Sequence, residues 1–123
     1  MVGEGDGLLL FVGDDWAEER HDVEVQDSDG RVLARAKLTA DLAGMVRLHA
    51  LVGEHVGDAE DVTVVVGIET DRGVWASALT AAGYEVYPLN PMQVARFRER
   101  YRVSEAKADP SDAHVLADLV RID

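Results

Sequence analysis

Hydrophobic and polar positions along the chain fall into short, bounded blocks. Residues 8–13, LLLFVG, form a continuous apolar run closed by a glycine, the pattern of a buried central strand. In HDVEVQDSDGRVLARAKL, Val23 and Val25 alternate with polar residues, and Val32, Leu33, Ala34 and Ala36 follow the turn-forming DSDG. This predicts a β-hairpin. Residues 41–56 place Leu42, Met45, Val46, Leu48, Leu51, Val52 and Val56 at helical spacing, with Thr39 or Asp41 as the cap. VTVVVGIE, 62–69, is a β-branched run and reads as a second buried strand. A helix over 73–82 should end at Gly83. The short strand YEVYPL comes next, then a helix opened by Pro91 and running to about Tyr101. VSEAKAD reads as a loop, and the last helix runs from Pro110 towards the end of the chain.

The predicted order is β-β-β-α-β-α-β-α-α. Leading antiparallel strands, then strands alternating with helices, give an α/β fold: a mixed five-stranded sheet flanked by helices. This is the element order of ribonuclease-H-like proteins. The 123 residues fit one domain, 1–123, with room for one hydrophobic core.

There is no cysteine, which excludes disulfides, thiolate metal ligands and a cysteine nucleophile. No apolar run approaches the ~20 residues needed to cross a bilayer. The opening MVGEGDGLLLFVGDDW lacks the basic segment of a signal peptide. A cytoplasmic protein with no membrane association is expected. The net charge of −12 argues against a plain nucleic-acid binder. That charge is uneven. Residues 1–72 hold seventeen acids and six bases, whereas 73–123 hold seven and six. ARFRERYRVSEAK gathers Arg96, Arg98, Arg100, Arg102 and Lys107, and such a strip can meet a phosphate backbone locally.

Four carboxylates stand where strands end or a helix begins. Asp15 follows the first strand, Glu69 ends the second apolar strand, and Asp109 and Asp112 open the last helix. Sites in α/β sheets gather outside strand ends. Residues three apart on a helix share one face. Four converging carboxylates need cations, and Mg²⁺ or Mn²⁺ suits oxygen ligands. The plainer alternative is local. Asp109-Pro110-Ser111-Asp112 is also good helix-start chemistry, with Asp109 as N-cap. Asp14 matches Asp15 by spacing alone.

The four histidines read more plainly. His21 and His114 lie near these carboxylates in sequence, and each is expected as a surface or supporting imidazole; His49 and His55 are expected on the surface. Trp75, Tyr84 and Tyr87 suit packing, and Trp16 suits exposure. The alternating arginines spread around their helix, with Phe97 and Tyr101 as its buried stripe. Solvent-facing arginines and phosphate-binding arginines both fit that pattern.

Three blocks, in order, resemble a known family: FVGDDWAEERHDVEVQDSDGRVL, VVVGIETDRGVWASALTAAGYEVYPLNPMQVARFRERY and SEAKADPSDAHVLADLVRID. They are similar to the N-terminal domain of the IS one-ten transposases, the DEDD transposases akin to Piv invertases. The resemblance runs from about residue 8 to residue 123. It implies a RuvC-like, ribonuclease-H fold with an Asp-Glu-Asp-Asp tetrad. Gly13-Asp14-Asp15 matches the family's Gly-x-Asp, which gives Asp15 the first role. Gly67-Ile68-Glu69 matches Gly-Ile-Glu, which gives Glu69 the second. Lys107-Ala108-Asp109 and Asp112-Ala113 match Lys-x-Asp-x-x-Asp-Ala, which makes Asp109 and Asp112 the third and fourth.

The resemblance further implies Mg²⁺ or Mn²⁺ as cofactor, DNA recombination, and a guide RNA encoded by the element. A homo-oligomer of the full-length protein and a place at the bacterial nucleoid follow as expectations. Glu105 and Pro110 depart from the family's pattern. Family members continue into a C-terminal domain with a nucleophilic serine, and Ser77, Ser104 and Ser111 match nothing of that kind. Two other readings remain at this point: a guide-RNA and DNA-binding assembly module without catalysis, and an unrelated acidic α/β domain.

Overall fold

The apolar runs pair into one five-stranded sheet with strand order β3-β2-β1-β4-β5. The computed structural model describes residues 7–17, 19–69, 73–104 and 111–122. The elements are β1 (Gly7–Ala17), β2 (Arg20–Gln26), β3 (Val32–Thr39), α1 (Leu42–Gly53), β4 (Asp61–Ile68), α2 (Gly73–Ala81), β5 (Glu85–Pro88), α3 (Pro91–Ser104) and α4 (Asp112–Ile122). The order matches the one expected from the pattern. β1, β2 and β3 pair antiparallel, while β4 runs parallel to both β1 and β5.

Strand alternation splits the core in two. On one face Leu10 and Val12 of β1, Val23 and Val25 of β2, and Val64 and Val66 of β4 meet Met45, Leu48 and Val52 of α1 and Leu79 of α2. On the other face α4 lies across the sheet, and Val115, Leu116 and Leu119 pack with Leu89 and with Val94 of α3. Phe97 joins that second cluster, as the helical stripe predicted; the side chain of Tyr101 lies outside the described residues.

Several boundaries differ from expectation. β1 continues to Ala17, so Asp15 sits inside a strand rather than after one. The polar DDW continues the strand because β2 pairs with it throughout, Asp15 opposite Asp22 and Trp16 opposite His21. α1 stops at Gly53, and α3 extends through Ser104. Asp41 is the cap of α1: its side chain accepts from the Gly44 amide at 2.9 Å and from the Thr39 hydroxyl. At the end of α2, Gly83 has φ of +98°, and the Tyr84 amide reaches back to the Leu79 carbonyl at 3.1 Å.

The start of α4 bears on the opening carboxylates. The Ser111 hydroxyl accepts from the His114 amide at 3.1 Å, and the Ser111 carbonyl accepts from Val115. Ser111 therefore occupies the N-cap, and Asp112 is the first helical residue. The capping role assigned to Asp109 by spacing belongs to Ser111. Asp109, Pro110, Glu105 and Lys107 lie outside the described residues.

Candidate carboxylate site

Gly13 and Gly67 are register partners on β1 and β4, and both lie under α4. A Cβ on Gly13 would run into the Ala113 carbonyl and the Ala117 amide. One on Gly67 would meet Val120 at 2.5 Å and the Leu116 carbonyl at 3.0 Å. Two bare backbones thus let the helix settle directly on the sheet. Two residues beyond each glycine, on the same face by alternation, come Asp15 and Glu69. α4 meets this face with Asp112 in its first turn.

The same alternation separates Asp14 from Asp15. Asp14 points to the opposite face and is fully buried. It accepts from His21 Nδ1 at 2.6 Å and from Trp75 Nε1 at 2.7 Å. His21 stacks on the Trp75 ring with centroids 4.0 Å apart, and its Nε2 is buried without a partner among the described residues. Of the surface and supporting roles expected for His21, the structure shows the second: it is a buried partner of Asp14. His49 is also half-buried, sharing a 2.7 Å hydrogen bond with Tyr84.

Asp15 is the electrostatic centre of the α4 face. Burial raises its pKa first, and the neighbouring charges of Asp22, Glu69 and Asp14 raise it further; Arg98 opposes them. Arg98 also contacts Asp112 directly. One guanidinium from α3 therefore acts on Asp15 and Asp112 together. Glu69 is exposed just past the end of β4. Among the described residues, no group of three His, Asp or Glu side chains is close enough to hold a metal ion. Of the basic strip, Arg96 is exposed, Arg98 is largely covered and paired, and the side chains of Arg100 and Arg102 lie outside the described residues.

Two acids on β2 escaped the sequence reading. Asp22 faces Asp15 across the β1–β2 ladder. Glu24 is fully buried under α4 and accepts from Gln26 at 2.8 Å, Arg35 Nε at 2.8 Å and His114 Nδ1 at 2.5 Å. Burial pushes the Glu24 carboxyl up, but these hydrogen bonds outweigh it and hold the group below the usual glutamate range. Gln26 continues the network to Asp118 and Arg121 at 3.0 and 2.9 Å. His114, expected as a surface or supporting imidazole, is a strut of this network. The available signal was the strand alternation itself, which puts Asp22, Glu24 and Gln26 on one face.

Comparison with known proteins gives the family and the fold. The transposase model of the DEDD type for IS110 elements matches residues 12–123. A mini-circle putative transposase for IS117 from Streptomyces coelicolor is 44% identical over 118 residues, 96% of this chain and 28% of its own length. A putative transposase from Sinorhizobium fredii is 32% identical over 127 residues, 100% of this chain and 35% of its own length. The chain thus spans about a third of each relative. Among solved structures, Thermus thermophilus RuvC in complex with a Holliday junction substrate aligns with a TM-score of 0.52 at 20% identity, covering 89% of this chain and 90% of that one. That likeness establishes a ribonuclease-H-like fold. No helix among the described residues is long and apolar enough to cross a membrane. The chain belongs to the IS110, or IS one-ten, family of DEDD transposases, as an N-terminal RuvC-like domain of that family.

Proposed function

We propose that Asp15, Glu69, Asp109 and Asp112 hold divalent metal, Mg²⁺ or Mn²⁺, for phosphodiester chemistry on DNA during transposition. The observation that carries this reading is the shared guanidinium. Arg98 contacts Asp112 and also offsets the charge of Asp15, whose carboxyl is held above its ordinary range first by burial and then by Asp22 and Glu69. Carboxylates gathered this way call for cations, and hard oxygen donors suit Mg²⁺. Bound divalent ions supply activation of the attacking oxygen and neutralisation of the leaving one. The chain's own part is placement. The glycine pair seats α4, β1 carries Asp15, and the end of β4 carries Glu69.

The wider setting belongs to the same proposal. A C-terminal domain supplies a nucleophilic serine, an element-encoded guide RNA selects the DNA, and the full-length protein works as a homo-oligomer at the nucleoid. Arg96, Arg98, Arg100, Arg102 and Lys107 contribute phosphate contacts. Family membership and the position of α3 beside Asp112 support this.

Calorimetric titration of the chain with Mg²⁺ and Mn²⁺ tests the metal site. Asp15→Asn and Asp112→Asn should each weaken binding by about tenfold or more, in line with the loss of a charged ligand. Equal binding by wild type and both variants, or none by any of them, contradicts the proposal.

A further inference from the structure

We propose that the β3 edge of the sheet is a phosphodiester-binding rim, with Arg35 and Lys37 holding the backbone of a nucleic-acid strand that passes over the carboxylate site. The identity of the ligand rests on the functional reading above; the rim itself rests on register and burial.

Lys37 pairs with Asp22 across β3–β2, and Asp22 pairs with Asp15 across β2–β1. One step past the Asp14–Ile68 pair, the same line reaches Glu69. Lys37, Asp22 and Asp15 therefore form one row across three strands, which Glu69 continues just past the end of β4. With strands ~4.8 Å apart, Lys37 starts ~10 Å from Asp15, on the same face. Its side chain is 72% exposed, and Nζ lies a loose 3.7 Å from Asp22. Such a contact leaves the ammonium available to another anion.

Arg35 is one alternation step away, paired with Glu24. Its Nε donates to a carboxylate that is fully buried, while the arginine side chain itself is 66% exposed. The inner edge of the guanidinium is fixed and the outer end faces solvent. Glu24 is fixed in turn by Gln26 and His114. An ordinary surface arginine must lose rotamer freedom to grip a phosphate; this one is already oriented, and a planar fork suits phosphate oxygens. Residues 1–72 carry only six bases against seventeen acids, and two of the six stand side by side here. That placement is a local exception to the acidic field, beside the carboxylates that would act on a phosphodiester.

Charges on edge strands also discourage edge-to-edge pairing, a role that either sign of charge fills. Lys37→Glu separates the two roles, because it keeps a charge and reverses its attraction for phosphate. The test is fluorescence anisotropy of this chain with labelled single-stranded DNA, single-stranded RNA and duplex DNA over a salt series. At low salt Lys37→Glu should weaken binding by about fivefold or more and reduce the salt slope by about one. Arg35→Lys keeps the charge but loses the fork, and should weaken binding by about two- to threefold. A loss confined to DNA assigns the rim to a substrate strand, and one confined to RNA to a guide strand; either upholds it. Wild-type affinity and slope for a folded Lys37→Glu chain on all three probes overturns it, as does a wild-type chain that binds none. A parallel Mn²⁺ titration keeps the two proposals apart. A Lys37 effect without Asp15-dependent metal binding sinks the metal site and leaves the rim, and the converse leaves the metal site alone.

Discussion

Gly13 and Gly67 stand opposite one another on adjacent parallel strands, and α4 rests on both. The pair decides how close Asp112 can come to Asp15 and Glu69, since each acid lies two residues beyond its glycine. Gly13→Ala should destabilise the chain by about 1–3 kcal/mol or more, because the new methyl meets helix backbone that cannot rotate away. Gly53→Ala is the control: nothing lies within 4 Å of a Cβ there, and it should be neutral or stabilising by up to about 1 kcal/mol. Urea unfolding of the two variants measures both. Equal effects would mean that α4 tolerates a displaced seat.

Ser111 and Asp109 should behave differently on substitution. Ser111→Ala removes the hydroxyl that accepts from the His114 amide and should cost about 1 kcal/mol. Asp109→Ala should leave helix stability nearly unchanged and instead reduce Mg²⁺ binding. Thermal melts with and without Mg²⁺ distinguish the outcomes. A large loss of metal-free stability for Asp109→Ala would return that residue to a structural role.

The raised pKa of Asp15 fixes the sign of a pH effect. The native chain holds this proton more tightly than the unfolded chain, so stability falls as pH rises from the ordinary aspartate value of about 3.9 through the raised one. Asp15→Asn should therefore melt higher than wild type at pH 7 without metal, and the difference should shrink in acid. Mg²⁺ should reverse the ranking, since a ligand at ~100 times its Kd adds ~2.7 kcal/mol to the form that binds it. Melting curves at pH 4 and 7, with and without Mg²⁺, measure this.

Glu24 predicts the opposite slope. Its lowered pKa means that its contribution is present above the ordinary glutamate value of about 4.3 and is lost as pH falls through the depressed one. Glu24→Ala leaves the Arg35, Gln26 and His114 donors without their shared acceptor, and should cost about 3–5 kcal/mol. Chemical unfolding at pH 7 checks the size, and a loss under 1 kcal/mol would mean that the network is dispensable.

The element order was legible because period-2 and helical spacings are local properties of the chain. The Gly-x-acid pairs at Gly13 and Gly67 were legible as motif. Their seating function was not, because it needs α4, a helix distant in sequence from both glycines. Spacing alone left Asp14 and Asp15 equal; the resemblance chose Asp15, and the continuation of β1 past Gly13 set the two on opposite faces. The burial of His21 was not legible, because a polar residue at the start of a hairpin strand is usually wet. Here α2 delivers Trp75 over it, and Asp14 supplies the partner that burial demands. Glu24 and Gln26 escaped for the same reason: a polar strand face normally meets water, and this one meets α4.

The most direct measurement is a crystal structure of the chain soaked in Mn²⁺, read by anomalous difference maps. Peaks bounded by Asp15, Glu69, Asp109 and Asp112 are expected, with Arg98 displaced from Asp112. Arg98 still bound to Asp112 and no peak beside Asp15 at saturating Mn²⁺ would rule out the metal site.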